Sequence, residues 1–251
     1  MDLQLEGKTA LITGASMGIG RAIAMALAAE GVKVGIAARR SEELNKVAGE
    51  IVAAGGAQPT VLRTDLYEAD AARKLAQAAQ EQLGRVDILV NSAGGSRPVK
   101  WDAPSSAWEE GMTLNYTRIQ ELTSALLPGM VERKFGRVIN LTGTNEPRWP
   151  NTAFPAKAAL HMWAKSISRD LAKLGVTIHC IQPGRIMSEQ IYRLHPTEED
   201  RRAFCEREIP MGRFGEPEEL ANLAVFLASP RAAYMTGTVI PVDGGMYRFA
   251  Y

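Results

Sequence analysis

Two stretches hold residues whose types and spacing could do chemistry. The first is Thr13-Gly14-Ala15-Ser16-Met17-Gly18-Ile19-Gly20. A short apolar run ends at Thr13, and Ile19, Ile23, Ala24, Leu27 and Ala28 follow at helical spacing. Gly14 permits a tight turn, Gly18 lets the backbone approach a pyrophosphate, and Gly20 lets the helix pack closely on a sheet. Free amides at the helix start then face an anion. The alternative is a glycine turn with a structural role only. The second stretch runs from Thr142 to Lys157. It holds one lysine, one carboxyl group (Glu146) and no tyrosine.

The elements that must position these stretches alternate along the chain. Strand-length apolar runs cover 9–13, 32–38, 59–63, 86–90, 136–142, 176–181 and 238–242, with helical patterns between most of them. Ser41 is placed to cap the second helix. Asp65 and Glu68 have capping-box spacing for the third, and Ser106 and Glu109 for a helix reaching residue 133. Residues 155–174 read as one long helix. Ile88-Leu89-Val90 and Val138-Ile139 are apolar without alternation, as strands covered on both faces are. The pattern predicts an α/β, Rossmann-type doubly wound sheet of seven parallel strands with helices on both faces. No linker or repeat interrupts residues 1–251, so one domain is expected. The one long excursion, about 185–215, leaves the carboxyl-end edge of the sheet and is placed to act as a lid.

Composition excludes several classes of function. Lys and Arg number 29 against 28 Asp and Glu, and this balance argues against nucleic acid or an anionic membrane as partner. No apolar run reaches spanning length and no leader is visible at Met1, so a cytoplasmic protein is expected. Cys180 and Cys205 do not form a disulfide framework; Cys180, in an apolar run, reads as a buried reduced thiol. His161, His179 and His195 lack ligand spacing, so no metal site is expected.

The glycine pattern, Asn91-Ser92-Ala93-Gly94, Asn115, Lys157-Ala158-Ala159, Pro183-Gly184-Arg185-Ile186-Met187-Ser188 and Val242-Asp243-Gly244-Gly245 together resemble the short-chain dehydrogenase/reductase family over almost the whole chain. The resemblance implies a nicotinamide cofactor held by Gly14, Ser16, Met17, Gly18, Ile19, Gly20, Asp65, Leu66, Asn91, Ala93, Gly94, Lys157, Pro183, Gly184, Ile186 and Ser188. An acid at the end of the second strand would accept from the ribose of NAD and repel the 2′-phosphate of NADP. Here that place is Ala38, followed by Arg39 and Arg40, whose guanidinium groups suit phosphate oxygens. NADP is therefore the expected cofactor, with NAD less favoured. Relatives that prefer NADP often carry a basic residue where this chain has Met17.

In the family, a Ser, a Tyr and a Lys one helical turn after the Tyr handle the substrate oxygen. Lys157 and Asn115 match. Ala153 stands four residues before Lys157, and the serine position falls near Gly143. Thr142 and Thr144 flank that position and offer hydroxyls. Glu146 is a tentative replacement acid; Tyr116, Tyr192 and His161 are further candidates. Three readings stay open: hydride transfer with another acid, an iminium, quinoid or activated-alkene substrate that needs no protein acid at an oxygen, or cofactor binding without redox chemistry. Arg97, Trp101, Arg148, Trp149, Tyr192 and Arg193 should reach one edge of the sheet and suggest a small planar or anionic substrate. The resemblance also implies a dimer or tetramer, with the aromatic tail 246–251 suited to an interface.

Overall fold

The computed structural model describes residues 1–144 and 146–249, the side chain of Gln190 excepted. Among the described residues seven strands form one sheet: β1 (Thr9–Thr13), β2 (Lys33–Ala38), β3 (Thr60–Arg63), β4 (Ile88–Asn91), β5 (Gly136–Leu141), β6 (Val176–Pro183) and β7 (Thr238–Val242). The order is β3-β2-β1-β4-β5-β6-β7, and every neighbouring pair is parallel. This is the doubly wound, Rossmann-type sheet that the alternation predicts. Its direction of growth reverses between β1 and β4, which pair from Ala10 with Ile88 to Thr13 with Asn91. A crevice opens at the carboxyl ends of the strands flanking such a reversal. Thr13 and Asn91 end their strands at that crevice.

Nine α-helices among the described residues connect the strands: α1 (Gly18–Ala29), α2 (Ser41–Ala53), α3 (Ala71–Leu83), α4 (Ser105–Met112), α5 (Arg118–Glu132), α6 (Ala153–Leu171), α7 (Glu189–Leu194), α8 (Glu198–Glu208) and α9 (Pro217–Ala228). Strand side chains alternate between faces, so the sheet feeds two cores. Ile12, Ile36 and Ile139 pack with Ile23 and Leu27 of α1, Leu44 and Ile51 of α2, and Leu220 of α9. Leu11, Leu89 and Val138 pack with Leu75 of α3, Leu122 and Leu126 of α5, and Ala164 of α6. β1, β4 and β5 are buried along their whole length, so they carry no polar alternation. β7 is an edge strand with alternating exposure, and its Pro241 is tolerated at an edge.

The three expected caps are corrected. Arg40, not Ser41, is the N-cap of α2, and Ser41 lies inside the helix. Asp65 Oδ1 accepts from Tyr67 N–H at 3.0 Å, closing a local turn at the end of β3. The third helix therefore starts later, after Asp70 at φ 57°. Ser106 is the second residue of α4, which follows Pro104 without a side-chain cap. The expected helix to residue 133 is also broken. Thr113–Thr117 forms a π-turn between α4 and α5, a local widening that favours functional positions. Asn115 sits in its middle. The long helix begins at Ala153, two residues earlier than expected, and ends in a 3-10 turn at Ala172–Leu174. The 185–215 excursion holds α7 and α8, the latter opened by a capping box between Thr197 and Asp200. Among the described residues no helix is long and apolar enough to cross a membrane. Ala250 and Tyr251, part of the expected tail interface, lie outside the described residues.

Candidate functional site

A cleft of about 390 Å³ lies at the β1/β4 reversal. Gly14, Ser16, Met17, Ile19 and Gly20 form one wall, Ala93 and Gly94 another, and Arg39, Arg40, Asp65 and Leu66 its far end. The two walls are tied by Thr13. Its hydroxyl accepts from Ser92 N–H at 3.2 Å and Ala93 N–H at 3.1 Å. That brings the backbones together so closely that a Cβ on Gly14 would stand 2.8 Å from Ala93 N. A Cβ on Gly20 would stand 2.3 Å from the Gly14 carbonyl oxygen. Over Gly18, at φ +54°, an added Cβ would meet nothing within 4 Å. Two tight contacts and one open position are what a backbone cradle for a pyrophosphate requires. At the far end Arg39 and Arg40 are exposed. Among the described residues neither pairs with a carboxylate; Arg40 reaches the Met17 sulfur at 3.7 Å.

Beside this cleft, Lys157 is 8% exposed on the first turns of α6. Its Nζ donates to Leu141 O at 2.7 Å. Burial pushes its pKa down to about 8. Asn115 is also buried, and its amide is fully used: Oδ1 accepts from Gly95 N–H at 3.0 Å, while Nδ2 donates to Gly95 O and Gly111 O. A Cβ on Gly94 would lie 2.9 Å from Asn115 Oδ1 and 3.3 Å from Lys157 Nζ. Gly94 therefore lets the cleft wall, Asn115 and Lys157 share one corner.

The family model described as enoyl-(acyl carrier protein) reductase matches residues 14–247. The 3-oxoacyl-[acyl-carrier-protein] reductase FabG of Vibrio harveyi is 37% identical over 249 residues, covering 98% of this chain and 99% of that protein. The chain is a short-chain dehydrogenase/reductase. Solved members superpose along its length. The Pseudomonas aeruginosa RhlG/NADP active-site complex has a TM-score of 0.89 and 37% identity, covering 97% of this chain and 98% of that one. L-sorbose reductase from Gluconobacter frateurii, complexed with NADPH and L-sorbose, has a TM-score of 0.94 and 30% identity, covering 99% and 100%.

Within this family member, not every expected site residue faces the cleft. Asn91 is buried, with Nδ2 donating to Asn140 Oδ1 at 2.8 Å and Thr123 Oγ1 at 3.1 Å; it joins β4, β5 and α5. Pro183 ends β6. A Cβ on Gly184 would lie 2.5 Å from Asp243 Cα. Ile186 bridges to Gly215 and lines a second cavity of about 350 Å³ together with Arg185, Met211 and Arg213. Ser188 caps α7 by accepting from Ile191 N–H.

The alternative proton donors fare differently. Thr142 is corrected: its hydroxyl donates to Ile181 O at 3.1 Å and lies 2.7 Å from His161 Nε2, so its proton is spent. Burial, with the Lys157 charge nearby, pushes the His161 pKa down to about 4 and keeps the ring neutral. Tyr116 packs edge-on against Trp163 with centroids 6.4 Å apart. Tyr192 is 56% exposed and carries Arg201 over its ring. Glu146 Oε1 accepts from Arg248 N–H at 2.8 Å, tying this loop to the C-terminal segment. Thr144 Oγ1 accepts from Glu146 N–H and keeps its own proton free of these contacts.

Sequence reasoning missed several lining groups. Thr13, Ser92 and Leu114 adjoin recognised motif residues, so position alone could have included them. Tyr67 directly follows Asp65 and Leu66 and was missed in the same way, whereas Arg97, expected at this edge of the sheet, does line the cleft. Arg97 donates to the Tyr67 hydroxyl at 2.8 Å across the cleft, with Arg39 5.9 Å from the Tyr67 ring centroid.

Proposed function

We propose that this chain is an NADPH-dependent oxidoreductase acting on acceptors that need no protein hydroxyl at the receiving atom, such as an imine or an activated alkene. NADPH supplies a hydride when bound. The amides around Gly14, Gly18 and Gly20 hold its pyrophosphate, and Arg39 and Arg40 hold its 2′-phosphate. Asp65 and Leu66 flank the adenine end, with Ala93 and Gly94 as the wall beside the nicotinamide ribose. Lys157 holds the ribose hydroxyls through the Nζ protons left free by its bond to Leu141. Pro183, Gly184, Ile186 and Ser188 close the same edge.

One observation carries the departure from the family's usual chemistry. One turn before Lys157 stands Ala153, which has no hydroxyl, and the serine position is Gly143, where an added Cβ would have 4.0 Å to Lys157 Cγ. The nearby Thr142 hydroxyl is already engaged. A well-placed acid is worth about 10²–10⁴-fold in rate, so a ketone is the acceptor this site serves least. Asn115 supports the corner by fixing Gly95 and the π-turn. Glu146 is the remaining carboxyl group on the loop and is the candidate to return a proton to an alkene carbon.

Single-turnover hydride transfer from NADPH to matched ketone, imine and enone compounds tests the reading. The imine or enone should react roughly 100-fold faster than the ketone. A ketone reduced as fast as either would overturn it. Tight NADPH binding with no transfer to any of the three would instead favour a non-catalytic nucleotide-binding protein. Glu146→Gln should slow enone reduction and spare the imine.

A further inference from the structure

Two arginines differ in how their charge is met. Arg137 sits in β5 at 3% exposure and donates to Ser229 O, Gly136 O and Gly175 O, with Phe135 beneath it at 4.3 Å. It is a satisfied structural cation. Arg185, at the carboxyl end of β6, has a fixed backbone: its carbonyl accepts from Gly215 N–H at 2.9 Å. Its guanidinium lies 5.9 Å from the Trp149 ring centroid and 5.3 Å from that of Phe204. Among the described residues it donates to no acceptor and pairs with no carboxylate.

Nearby acid does not serve it. Glu208 of α8 already takes Arg148 and Arg207, with Arg248 3.8 Å away. Three guanidinium groups thus meet around one carboxylate, and Arg185 stands outside them. Burial lowers its pKa, Arg148 lowers it further and Glu208 opposes both; an arginine stays charged regardless. With Arg185 beside them, these guanidinium groups carry more positive charge than Glu208 neutralises, which favours an anion. The slot is also in the right place: Trp149 lies 6.4 Å from Phe154, which is on the first turn of α6 with Lys157.

We propose that Arg185 is the specificity-determining residue for a substrate carboxylate carried on a flat conjugated body, held between Trp149 and Phe204. The planar fork of a guanidinium matches a carboxylate in two parallel hydrogen bonds. The two rings favour a flat partner in the same layer. This inference rests on the oxidoreductase reading and adds the class of substrate to it.

Calorimetric titration of the NADP-saturated protein tests it, with benzoate as probe, benzamide as its neutral counterpart and inorganic phosphate as a competing anion. Benzoate should bind roughly tenfold more tightly than benzamide. Arg185→Met should reduce benzoate to the affinity of benzamide, and Arg185→Lys should recover part of the difference. NADPH affinity, read separately by fluorescence, should not change in either variant; loss of it in the unaltered protein would sink the cofactor reading instead. Equal binding of benzoate and benzamide, or an undiminished preference in Arg185→Met, overturns the proposal. Phosphate displacing benzoate at equal concentration overturns it in favour of a phosphoryl ligand. If Arg185→Met does not fold, Trp149→Ala removes a ring that is 44% exposed. It should weaken benzoate roughly threefold, and an unchanged affinity would refute the slot.

Discussion

The glycine cradle and the arginine cluster are both places to receive an anion, but they are built in opposite ways. The cradle uses backbone amides, fixed by β1, β4 and the start of α1, with almost no charged side chain. The cluster uses guanidinium groups from the loop after β5, from α8 and from the C-terminal segment, converging on Glu208, with Arg185 beyond the end of β6 beside them. The first tolerates no added atom at Gly14 or Gly20. The second depends on long side chains whose partners can be exchanged. A backbone site fits one invariant group, such as a pyrophosphate; a side-chain site can be retuned for different substrates on the same frame.

The comparison breaks most readily at Gly20. A Cβ there would stand 2.3 Å from the Gly14 carbonyl oxygen, and backbone cannot move aside cheaply. Gly20→Val should weaken NADPH by roughly 100-fold or more in a fluorescence titration, with a fall in stability of about 2–3 kcal/mol from overpacking. If NADPH still binds normally, the cradle is not the rigid site described. Arg39→Asp acts next, at the one end of the cleft where the proposed recognition is by side chains. It should weaken NADPH about 10-fold or more while leaving NADH nearly unchanged, since only the 2′-phosphate meets the new charge. Equal losses for both cofactors would remove Arg39 from the recognition.

Lys157 lies where the two halves meet. Its folded pKa is about 8 against an ordinary 10.5, so the unfolded chain holds this proton more firmly. The buried charge therefore opposes folding below about pH 8, and stability is regained as pH rises from 8 toward 10.5. Lys157→Met should raise the melting temperature of the cofactor-free protein at pH 7 by about a few degrees and weaken NADPH about tenfold. A lowered melting temperature would mean that the Leu141 hydrogen bond outweighs the desolvation.

The same contrast explains what was legible in the sequence. Sheet class, strand positions and the cradle depend on period and glycine spacing, which are local and follow one another along the chain. Thr9–Thr13 and Thr238–Val242 match residue for residue. Capping did not transfer because the polar residues had other partners: Asp65 turns back on Tyr67, and Arg40 takes the start of α2. The π-turn at Thr113–Thr117 adds one residue to a helical turn without changing the apolar pattern. Thr142 looked free as a hydroxyl until β6 supplied Ile181 O and α6 supplied His161. The Arg97–Tyr67 contact joins residues 30 apart in sequence. That the Arg185 guanidinium has no hydrogen-bonded partner among the described residues becomes visible only when three separate segments are brought together.

The smallest expected effect, on pH, separates the halves by stability. The only histidines are His161, His179 and His195, so the strands that build the cradle, β1 to β4, contain none. His161 holds the end of β5 through Thr142, and His179 in β6 lies 2.7 Å from Thr238 Oγ1 in β7. Burial is the main cause pushing both rings to pKa values of about 4, with Lys157 adding to the first and Arg137 to the second, where a backbone bond from Met235 opposes it. The unfolded chain takes up these protons near pH 6.5, whereas the folded chain does so only near 4. Stability should therefore be intact above about pH 6.5 and decline through this window, by about 1 kcal/mol for each ring at about pH 5.5. Amide exchange at that pH should accelerate first in β5, β6 and β7, with β1 and β4 still protected. Replacing His179 by Gln should remove about half of the slope, because a neutral side chain has no proton to gain. Uniform acceleration across all seven strands would show that the cradle and the arginine side unfold as one unit, and the comparison would then be one of recognition only.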